Sequence, residues 1–456
     1  MNLGGKRVLV VGLGVSGLGV VDALADSGAR LSLAEDREMG REVALERGVF
    51  ESLGTIEALV REPWDLIVVS PGLAPQRLGL TPLAGRVIGE LELGWLLADA
   101  PVSAITGTNG KTTVATLTTQ MLGPGAILCG NAGVSFASVA RTGASRYVVE
   151  ASSFQLTWAP TFSPATASWT NFTPDHLDWH GDLEHYRRAK AKLFTQLGGG
   201  SVAILNADDP VVANTALPAG VTRRTFSLAP RVGDDQLADY RVYAGELIGP
   251  TGEVLMPVSA LGRSGPIDLA NALLSWATAE AAGAETAAIQ ETLAAFRGLE
   301  HRQERVGELR GVLYVNDSKA TTPVAAAAGV SSFAHVVLIA GGRGKGLSFD
   351  PLSEVAAHIR AVIGIGEAGP TIVELFRELG RPAMMASSMA EAVTLASREA
   401  MAGDVVLLAP GAASFDWYRS YRDRGDDFKV TVRRLIETGY DQGTIAPAPS
   451  RGLEDQ

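Results

Sequence analysis

The chain has 456 residues, of which 46% are hydrophobic and 20% charged, a composition typical of a globular protein and not of a disordered one. A net charge of −11 gives no support for binding to nucleic acid or an anionic membrane, and the single cysteine, Cys129, excludes an intrachain disulfide. The length suits about three domains of ~150 residues. Because no apolar run reaches the ~18 residues of a membrane span, we expect a cytoplasmic protein with no nucleic-acid or membrane partner.

The first segment, residues 1–94, has the pattern of a dinucleotide-binding βαβ unit. An apolar strand at 7–11 leads into the glycine-rich turn 12–17 (GLGVSG), and a second strand ends at 35–37 (EDR). An acidic residue about 20 positions after such a turn is typical of nicotinamide-binding folds. The same backbone also suits the pyrophosphate of a nucleotide sugar, so both ligand classes remain open. A later strand ends at Pro71-Gly72, which we place on the same rim of the sheet.

The second segment, residues 95–298, begins with a phosphate-binding loop at 104–113 (AITGTNGKTT). An apolar strand precedes the loop and a helix follows it, so backbone N–H groups and the helix N-terminus can face anionic oxygens. Lys111 adds a positive charge, and the Thr112 hydroxyl can bind magnesium. The loop is a variant, because Ile105 stands where the strict motif has its first glycine. The alternative is a glycine-rich turn with a solvated lysine, and the strand–loop–helix context favours the phosphate loop.

Three further features of this segment have two interpretations each. Glu150 ends a predicted strand, where it would either reach a metal above the phosphate loop or remain an exposed carboxylate. Residues 173–180 (TPDHLDWH) hold two histidines and two aspartates, which suit a metal site or simple helix caps. The amphipathic helix at 181–194 carries Tyr186 and Lys190; a lysine on such a helix is usually solvated, and a functional role for Lys190 needs support from outside the helix pattern.

The third segment, residues 299–442, alternates strands and helices, which indicates a second doubly wound sheet. Its predicted strands end at three polar loops, 316–322 (NDSKATT), 341–346 (GGRGKG) and 409–416 (APGAASFD). Ligands should bind at these carboxyl ends. Residues 443–456 lack apolar periodicity, and we expect them to form a disordered tail.

The ordered set of motifs resembles the Mur ligases, the ATP-dependent amino-acid ligases of peptidoglycan precursor synthesis. The matching stretches are 107–113, 130–133, 150–156, Asn171 with 175–178, Tyr186 with Lys190, 206–210, 301–302, 316–321 and 341–345. Within the family, residues 12–17, 70–72, 413–416 and 424–428 most resemble the members that add D-glutamate. Individually several of these motifs are loose, but in this order they are specific to the family.

The resemblance implies an α/β fold of three domains. These are a Rossmann-like N-terminal domain at 1–94 for the UDP-linked substrate, a central P-loop-type ATPase domain at 95–298 with a mostly parallel sheet, and a Rossmann-like C-terminal domain at 299–442 for the amino acid. It also implies a monomer that uses ATP and two Mg²⁺ ions to join D-glutamate to UDP-N-acetylmuramoyl-L-alanine through an acyl phosphate. The alternatives are a sister Mur ligase or a folylpolyglutamate-type ligase with a different amino acid or acceptor and, more distantly, a NAD-dependent oxidoreductase.

The family motifs also imply roles for individual residues. Lys111 would contact the β- and γ-phosphates, while Thr112 and Glu150 would hold one magnesium ion. Lys190, carbamylated, would hold the second ion together with His176. The implied ATP contacts are Gly107, Thr108, Asn109, Gly110, Lys111, Thr112, Thr113, Asn271, Arg302 and Asp317. The implied contacts to the UDP-linked substrate are Val15, Ser16, Asp36, Arg37, Gly72, Asn131 and His176. Those to D-glutamate are Lys319, Thr321, Lys345, Ser414 and Tyr421.

Overall fold

The computed structural model describes residues 1–45, 48, 50–82, 86–229, 237–344 and 348–438. The chain divides into two compact units, Met1–Arg297 and Gly298–Gln456. The first unit contains a five-stranded and a nine-stranded sheet, and the second contains a six-stranded sheet. In the described part of the chain, no helix is both long and apolar enough to cross a membrane.

The first sheet is wholly parallel, with strand order β3-β2-β1-β4-β5. Its elements are β1 Arg7–Val11, α1 Val15–Leu24, β2 Arg30–Ala34, α2 Glu38–Leu45, β3 Ser52–Gly54, α3 Ile56–Leu59, β4 Leu66–Val69, α4 Pro75–Leu78, β5 Val87–Gly89 and α5 Glu90–Leu97. All four residues of β4 are buried, because helices cover both faces of a parallel sheet and each face then needs apolar side chains. The strand order reverses between β1 and β4, which is where such sheets open a binding crevice. The turn at 12–17 and the loop with Gly72 lie at this reversal.

The second sheet has the order β14-β13-β12-β11-β10-β9-β6-β8-β7 and is parallel from β12 to β7. Its elements are β6 Val102–Thr106, α6 Lys111–Met121, β7 Ala126–Gly130, α7 Phe136–Val139, β8 Arg146–Glu150, α8 Ser153–Thr157, β9 Thr166–Trp169, α9 Leu177–His180, α10 Leu183–Thr195, β10 Val202–Asn206, α11 Pro210–Ala213, β11 Thr222–Ser227, β12 Tyr240–Tyr243, β13 Glu246–Ile248, β14 Val254–Pro257, a 3₁₀ turn Val258–Ala260, α12 Pro266–Ala281 and α13 Thr286–Ala295. The strand before the phosphate loop, β6, is buried at every position and lies between β8 and β9. The carboxyl ends of these three strands therefore meet at one place.

The two sheets of the first unit are joined by close packing. The Trp158 indole N–H donates to the Leu73 carbonyl at 2.9 Å, and the Gly89 N–H donates to the Trp158 carbonyl at 2.7 Å. One continuous apolar core, with members such as Leu91 and Phe136, contains residues from both sheets and their helices. The rim of the first sheet is thereby held beside the loops that follow β8 and β9.

The sheet of the second unit has the order β15-β16-β20-β17-β18-β19, and only the β15–β16 pair is antiparallel. Its elements are β15 Glu304–Leu309, β16 Val312–Asn316, α14 Pro323–Val330, β17 Val336–Gly341, α15 Asp350–Glu354, a 3₁₀ turn Ala356–His358, β18 Ile359–Ile365, α16 Gly369–Glu378, β19 Ala383–Met385, α17 Met389–Glu399, β20 Val405–Leu408 and α18 Tyr421–Thr438. Two apolar clusters cover its faces, one around Leu338 and Leu407 and one around Ile339 and Val406. Consecutive residues of a strand alternate between these clusters, as expected for a sheet buried on both sides.

The predicted α/β class with parallel-rich sheets is confirmed. The domain limits at 94/95 and 298/299 remain a proposal, and the first of them falls inside helix α5, whose last residue is Leu97. The predicted tail at 443–456 lies outside the described residues, as does Lys345 in the loop after β17.

Candidate active site

The phosphate loop has the strand–loop–helix geometry that its sequence predicts. Gly107 has φ +144° and Gly110 has φ +83°, conformations that side chains with a Cβ rarely adopt. A Cβ at Gly107 would collide with the Thr170 hydroxyl, which itself donates to the Asn109 carbonyl at 2.6 Å. Helix α6 begins at Lys111 with Gly110 as its N-cap, so the first N–H groups of the helix are open to an anion.

Neighbouring loops brace the phosphate loop from the side of β9. The Asn171 side chain accepts from the Asn109 N–H at 2.9 Å, and the Asn171 carbonyl accepts from the Thr108 N–H at 3.0 Å. The Thr108 hydroxyl lies 3.1 Å from the Tyr186 hydroxyl. The Lys111 ammonium donates to the Thr108 carbonyl at 2.9 Å. The loop is therefore held in shape by polar groups that lie outside its own motif.

Glu150 lies at the carboxyl end of β8 and faces the start of α6. Its carboxylate accepts from the Thr112 hydroxyl at 2.7 Å and from the Asn131 side-chain amide at 2.6 Å, and the residue is only 2% exposed. A buried carboxylate beside a helix-start hydroxyl is a common magnesium arrangement in phosphate-loop enzymes. Glu150 is thus within hydrogen-bond distance of Thr112, the other predicted ligand of the same metal ion, and of Asn131, a predicted substrate contact.

Lys190 is buried, which is not what an amphipathic helix pattern alone predicts for a lysine. Its ammonium nitrogen donates to the Gly107 carbonyl at 2.6 Å and lies 4.8 Å from the centre of the Tyr186 ring. The pKa of Lys190 is well below its usual value, chiefly because burial removes water and also because Lys111 repels a second positive charge. Asp175 and Glu150 act in the opposite direction. A lowered pKa favours the neutral amine, which is the nucleophilic form of lysine.

His176 lies at the N-cap of α9 in a left-handed backbone conformation, φ +54°. Its ring Nε2 is 3.4 Å from the Asp175 carboxylate, and the ring is 4.7 Å from that of Phe154 and 6.2 Å from that of Tyr186, measured between centroids. The left-handed turn places the imidazole in an aromatic cluster that also contacts Lys190 through Tyr186. His176 and Lys190 thus share Tyr186 as a neighbour.

Asn271, on helix α12, lies against the phosphate loop. A Cβ added to Gly110 would come within 2.6 Å of its side-chain oxygen. Asn271 and Thr113 also line a small cleft with Arg263 and Asp268, which form an ion pair with a 2.8 Å Nε–Oδ1 distance. The structure therefore brings Asn271 together with the other predicted ATP contacts of the first unit.

The rim of the first sheet is organised by Glu35, which the predicted set of contacts omits. Glu35 is 3% exposed, and its carboxylate accepts from the Leu13 N–H at 2.8 Å and from the Arg37 guanidinium at 2.9 and 3.0 Å. The Arg37 hydrogen bond is the main cause that lowers the pKa of Glu35 to about 2. Asp36 instead accepts from the Ile56 N–H at 3.0 Å. Packing buries Glu35 and not Asp36, and Glu35 is therefore the acidic residue that contacts the glycine-rich turn.

The other predicted contacts to the UDP-linked substrate surround the same crevice. Val15 is 78% exposed at the start of α1, and Ser16 beside it is half-buried. The Gly72 carbonyl accepts from the Trp179 indole N–H at 3.3 Å, which links this rim to helix α9 next to His176.

In the second unit, the predicted residues lie at the carboxyl ends of the strands. Asp317 follows β16 and is buried, which raises its pKa to about 7, while Arg302 lowers it. The Lys319 ammonium lies 4.1 Å from the centre of the Tyr421 ring. Thr321 is half-buried in the same loop, and its N–H donates to the Lys319 carbonyl at 2.8 Å. Ser414, in the loop after β20, is 2% exposed.

Arg424 joins these loops, although the predicted contacts omit it. Its guanidinium, 1% exposed, donates to the Ser318 hydroxyl and carbonyl at 3.0 Å and to the Ala412 carbonyl at 3.1 Å. Burial lowers its pKa to about 10. The helix pattern of α18 gives no local signal of this role, because one partner, Ser318, lies 106 residues away in the chain and the other, Ala412, lies in a loop outside the helix.

No group of three or more His, Cys, Asp or Glu side chains forms a ready metal site within the described ranges. The predicted ligand set does not require one, since magnesium bound with a nucleotide takes few protein ligands and fills the rest with phosphate oxygens and water. Glu150 and Thr112 fit that requirement.

Three family models match the chain almost end to end. They are a Mur ligase MurD-like N-terminal domain at residues 6–88, a Mur ligase middle domain at 105–279 and a Mur ligase glutamate ligase domain at 301–411. The chain is 39% identical to a protein from Pelotomaculum thermopropionicum, over 94% of this chain and 98% of the relative. It is 36% identical to one from Desulfitobacterium hafniense, over 95% and 99%. Both relatives are named UDP-N-acetylmuramoylalanine–D-glutamate ligase.

Solved structures of similar fold have lower sequence identity. A UDP-N-acetylmuramate-alanine ligase from Thermotoga maritima aligns with a TM-score of 0.55 at 17% identity, covering 95% of this chain and 99% of that one. A MurF ligase from the same organism, in complex with ADP, aligns with a TM-score of 0.56 at 15% identity, covering 96% of each chain. These structures support the fold alone.

Proposed function

The chain belongs to the Mur ligase family, and we propose from this premise how its residues carry out the reaction of its D-glutamate-adding relatives. The protein is an ATP-dependent, ADP-forming ligase that joins D-glutamate to UDP-N-acetylmuramoyl-L-alanine in peptidoglycan precursor synthesis. The observation that carries the assignment of the site is the phosphate loop with Glu150 hydrogen-bonded to Thr112.

The chemistry consists of two substitutions. A carboxylate oxygen of the UDP-linked substrate attacks the γ-phosphorus of ATP, and the bond to ADP breaks. The D-glutamate amine then attacks the acyl-phosphate carbon, phosphate leaves, and the nitrogen loses a proton. Negative charge gathers on phosphoryl oxygens in both steps, so fixed positive groups and backbone N–H donors lower the barrier.

In our proposal, the loop 107–113 holds the triphosphate, with the N–H groups at the start of α6 facing the phosphates. The Lys111 ammonium, which donates to the Thr108 carbonyl, would turn to the β- and γ-phosphates. Thr112 and Glu150 would hold one magnesium ion, which supplies positive charge to the transferred phosphoryl group. The support for this pair is their 2.7 Å hydrogen bond at a buried position.

Lys190 is the proposed site of carbamylation. A neutral amine can add to carbon dioxide and release a proton, and the lowered pKa of Lys190 favours the neutral form. The resulting carbamate would be an anion beside Tyr186, where it and His176 could hold a second magnesium ion. The burial of the amine supports this modification, because it lowers the pKa and so favours the neutral form that adds to carbon dioxide.

The remaining contacts are proposed from the family motifs. UDP would bind the crevice around Val15, Ser16, Asp36, Arg37 and Gly72, with Asn131 and His176 nearer the acyl group. Asn271, Arg302 and Asp317 are proposed nucleotide contacts. Lys319, Thr321, Ser414 and Tyr421 are proposed for the D-glutamate carboxylates, together with Lys345. We further propose a monomer in the cytoplasm, where ATP and UDP-linked sugars are made.

An amino-acid panel tests the function. Purified protein with ATP, magnesium and UDP-N-acetylmuramoyl-L-alanine should release phosphate only when D-glutamate is added, and not with L-glutamate, L-alanine or diaminopimelate. Stimulation by another amino acid, or by a folate acceptor with L-glutamate, would assign the chain to a sister ligase. Lys111→Ala is the control for contaminating ATPase activity and should abolish the D-glutamate-dependent signal.

A further inference from the structure

A buried carboxyl group that the reaction does not use lies where the first and second sheets meet. Glu90 begins helix α5 and is 1% exposed. One of its oxygens accepts from the Ser135 hydroxyl at 2.7 Å and from the Ala137 N–H at 2.8 Å. The other oxygen, Oε2, is buried and has no hydrogen-bond partner among the described residues. A polar atom in that position is costly, so its presence needs a reason.

The partner of Glu90, Ser135, lies at a crossing of helices. A Cβ at Gly19 of α1 would collide with the Ser135 side chain, so α1 approaches Ser135 as closely as a glycine permits. Gly94 of α5 makes a similar approach, because a Cβ there would come within 2.7 Å of the Phe136 ring. The Glu90–Ser135 hydrogen bond therefore connects α5 to the segment on which α1 rests.

The same segment carries Asn131 into the active site. The loop is closed by the Gly130 N–H, which donates to the Val134 carbonyl at 2.9 Å. Asn131 is bound to Glu150 twice, through its backbone N–H at 2.8 Å and its side-chain amide at 2.6 Å. A shift of Ser135 would therefore move Asn131 relative to both Glu150 and helix α1.

We propose that Glu90 is a positioning residue for the UDP-linked substrate, which holds the Asn131 loop in register with the start of helix α1 through Ser135. The inference rests on the proposed function, since it takes Val15, Ser16 and Asn131 as contacts to that substrate. Glu90 contacts neither the substrate nor the reacting atoms in this proposal. It sets the spacing between two parts of one binding site that come from different sheets.

The hydrogen bonds of Glu90 suggest the substitution that tests this role. Burial is the largest influence on the pKa of Glu90 and raises it, while the hydrogen bonds from the Ala137 N–H and the Ser135 hydroxyl act in the opposite direction. Glutamine has nearly the shape of glutamate and keeps a side-chain oxygen that can accept two hydrogen bonds. Glu90→Gln should therefore preserve the acceptor for Ser135 and Ala137, whereas Glu90→Ala removes it.

Helix α5 offers a matched control two residues further on. Glu92 is also 1% exposed, burial also raises its pKa, and it accepts from the Thr161 N–H at 3.1 Å and from the Thr161 hydroxyl. Its partners lie in the loop before β9 and not in the Asn131 loop. Glu92→Ala therefore reproduces the loss of a buried carboxyl from the same helix without disturbing Ser135.

The experiment compares wild type with Glu90→Gln, Glu90→Ala, Ser135→Ala and Glu92→Ala. For each protein it measures kcat, the KM for each substrate and the thermal midpoint of unfolding. Calorimetry measures the Kd for the UDP-linked substrate separately. Glu90→Ala and Ser135→Ala should raise KM and Kd for the UDP-linked substrate by about 10-fold, the usual scale for losing one buried hydrogen bond. Their KM for D-glutamate should stay within about 2-fold of wild type. Glu90→Gln should keep the wild-type KM and Kd for the UDP-linked substrate.

Two results would overturn the proposal. One is an unchanged KM and Kd for the UDP-linked substrate in folded Ser135→Ala and Glu90→Ala. The other is an equal rise of every KM in Glu90→Ala and Glu92→Ala, which would indicate a general loss of stability. Failure of the proposed function itself is separate, because wild type would then neither bind the UDP-linked substrate nor turn over with D-glutamate. Ser135→Ala provides the test if Glu90→Ala does not fold.

Discussion

Replacement of Glu150 by glutamine should separate the metal-binding role of this residue from its structural one. The glutamine side chain has the same shape, and its oxygen can still accept from Asn131 at the 2.6 Å position. Its amide group can donate to the Thr112 oxygen, since the hydroxyl hydrogen can rotate away. The variant should therefore fold with the same hydrogen-bonded connections.

The expected loss of stability is small. Hydrogen bonds to a charged group contribute about 1.5–3 kcal/mol and neutral ones about 0.5–1.5 kcal/mol, so two weakened bonds cost about 2 kcal/mol. Glu150 is only 2% exposed, and neutralisation also removes the cost of keeping a charge out of water. The net change in the free energy of unfolding should therefore be below about 2 kcal/mol.

The expected loss of activity is much larger. A neutral amide is a poor magnesium ligand, and loss of one charge-stabilising group in an active site typically lowers kcat by about 10²–10³-fold. We expect a loss of this size together with a higher magnesium concentration for half-maximal rate. Phosphate release at a series of magnesium concentrations and thermal unfolding in the same buffer measure both effects, with Glu92→Gln as the control. Wild-type magnesium dependence in a folded Glu150→Gln protein would refute the assignment of Glu150 as a metal ligand.

Three further predictions concern other parts of the first unit. Gly107→Ala should weaken the affinity for ATP, measured by calorimetry, by at least about 10-fold, because the φ of +144° and the collision of a Cβ with the Thr170 hydroxyl force the loop to move. An unchanged affinity would contradict this requirement for glycine. Lys190→Ala should abolish turnover and regain part of it with millimolar acetate or formate, and absence of rescue in a protein that still binds ATP would count against a carbamate. Glu35→Gln should lower the free energy of unfolding by its full amount above about pH 4.5, the usual pKa of the side chain, and by less as the pH falls towards 2. The reason is that the pKa of Glu35 is lowered to about 2 in the folded state, so the wild-type carboxylate also loses its charge there. A difference in urea unfolding that does not change with pH would contradict this.

Several parts of the fold and the site could be predicted from local sequence. A buried strand followed by two glycines, a lysine and two threonines predicts a phosphate loop, because the strand, the turn and the start of the helix are each favoured by their own residues. The structure accordingly has β6 ending at Thr106 and α6 beginning at Lys111. Alternation of apolar strands with helices likewise predicts parallel sheets, because a helix that crosses over between two strands leaves them parallel. The motifs then identified the family, because they follow one another in the family's order over nearly the whole chain.

The burial of individual polar residues could not be predicted in this way. Lys190 occupies an amphipathic helix, and its pKa is lowered chiefly because the packed structure buries it against the phosphate loop, where it contacts the Gly107 carbonyl, 83 residues earlier in the chain. Glu35 and not Asp36 accepts from the glycine-rich turn, and Arg424 joins the Ala412 loop to the Ser318 loop, which lies 106 residues earlier in the chain.

The sequence by itself thus determined which segments form the sheets, where the phosphate loop lies and to which family the chain belongs. Only the tertiary structure decided which charged side chains are removed from water and what they contact. The reason is physical, since the conformation of a segment depends largely on its own residues. The desolvation that changes a pKa, and the hydrogen bonds by which Glu90 links two sheets, are produced by residues that are distant in the chain.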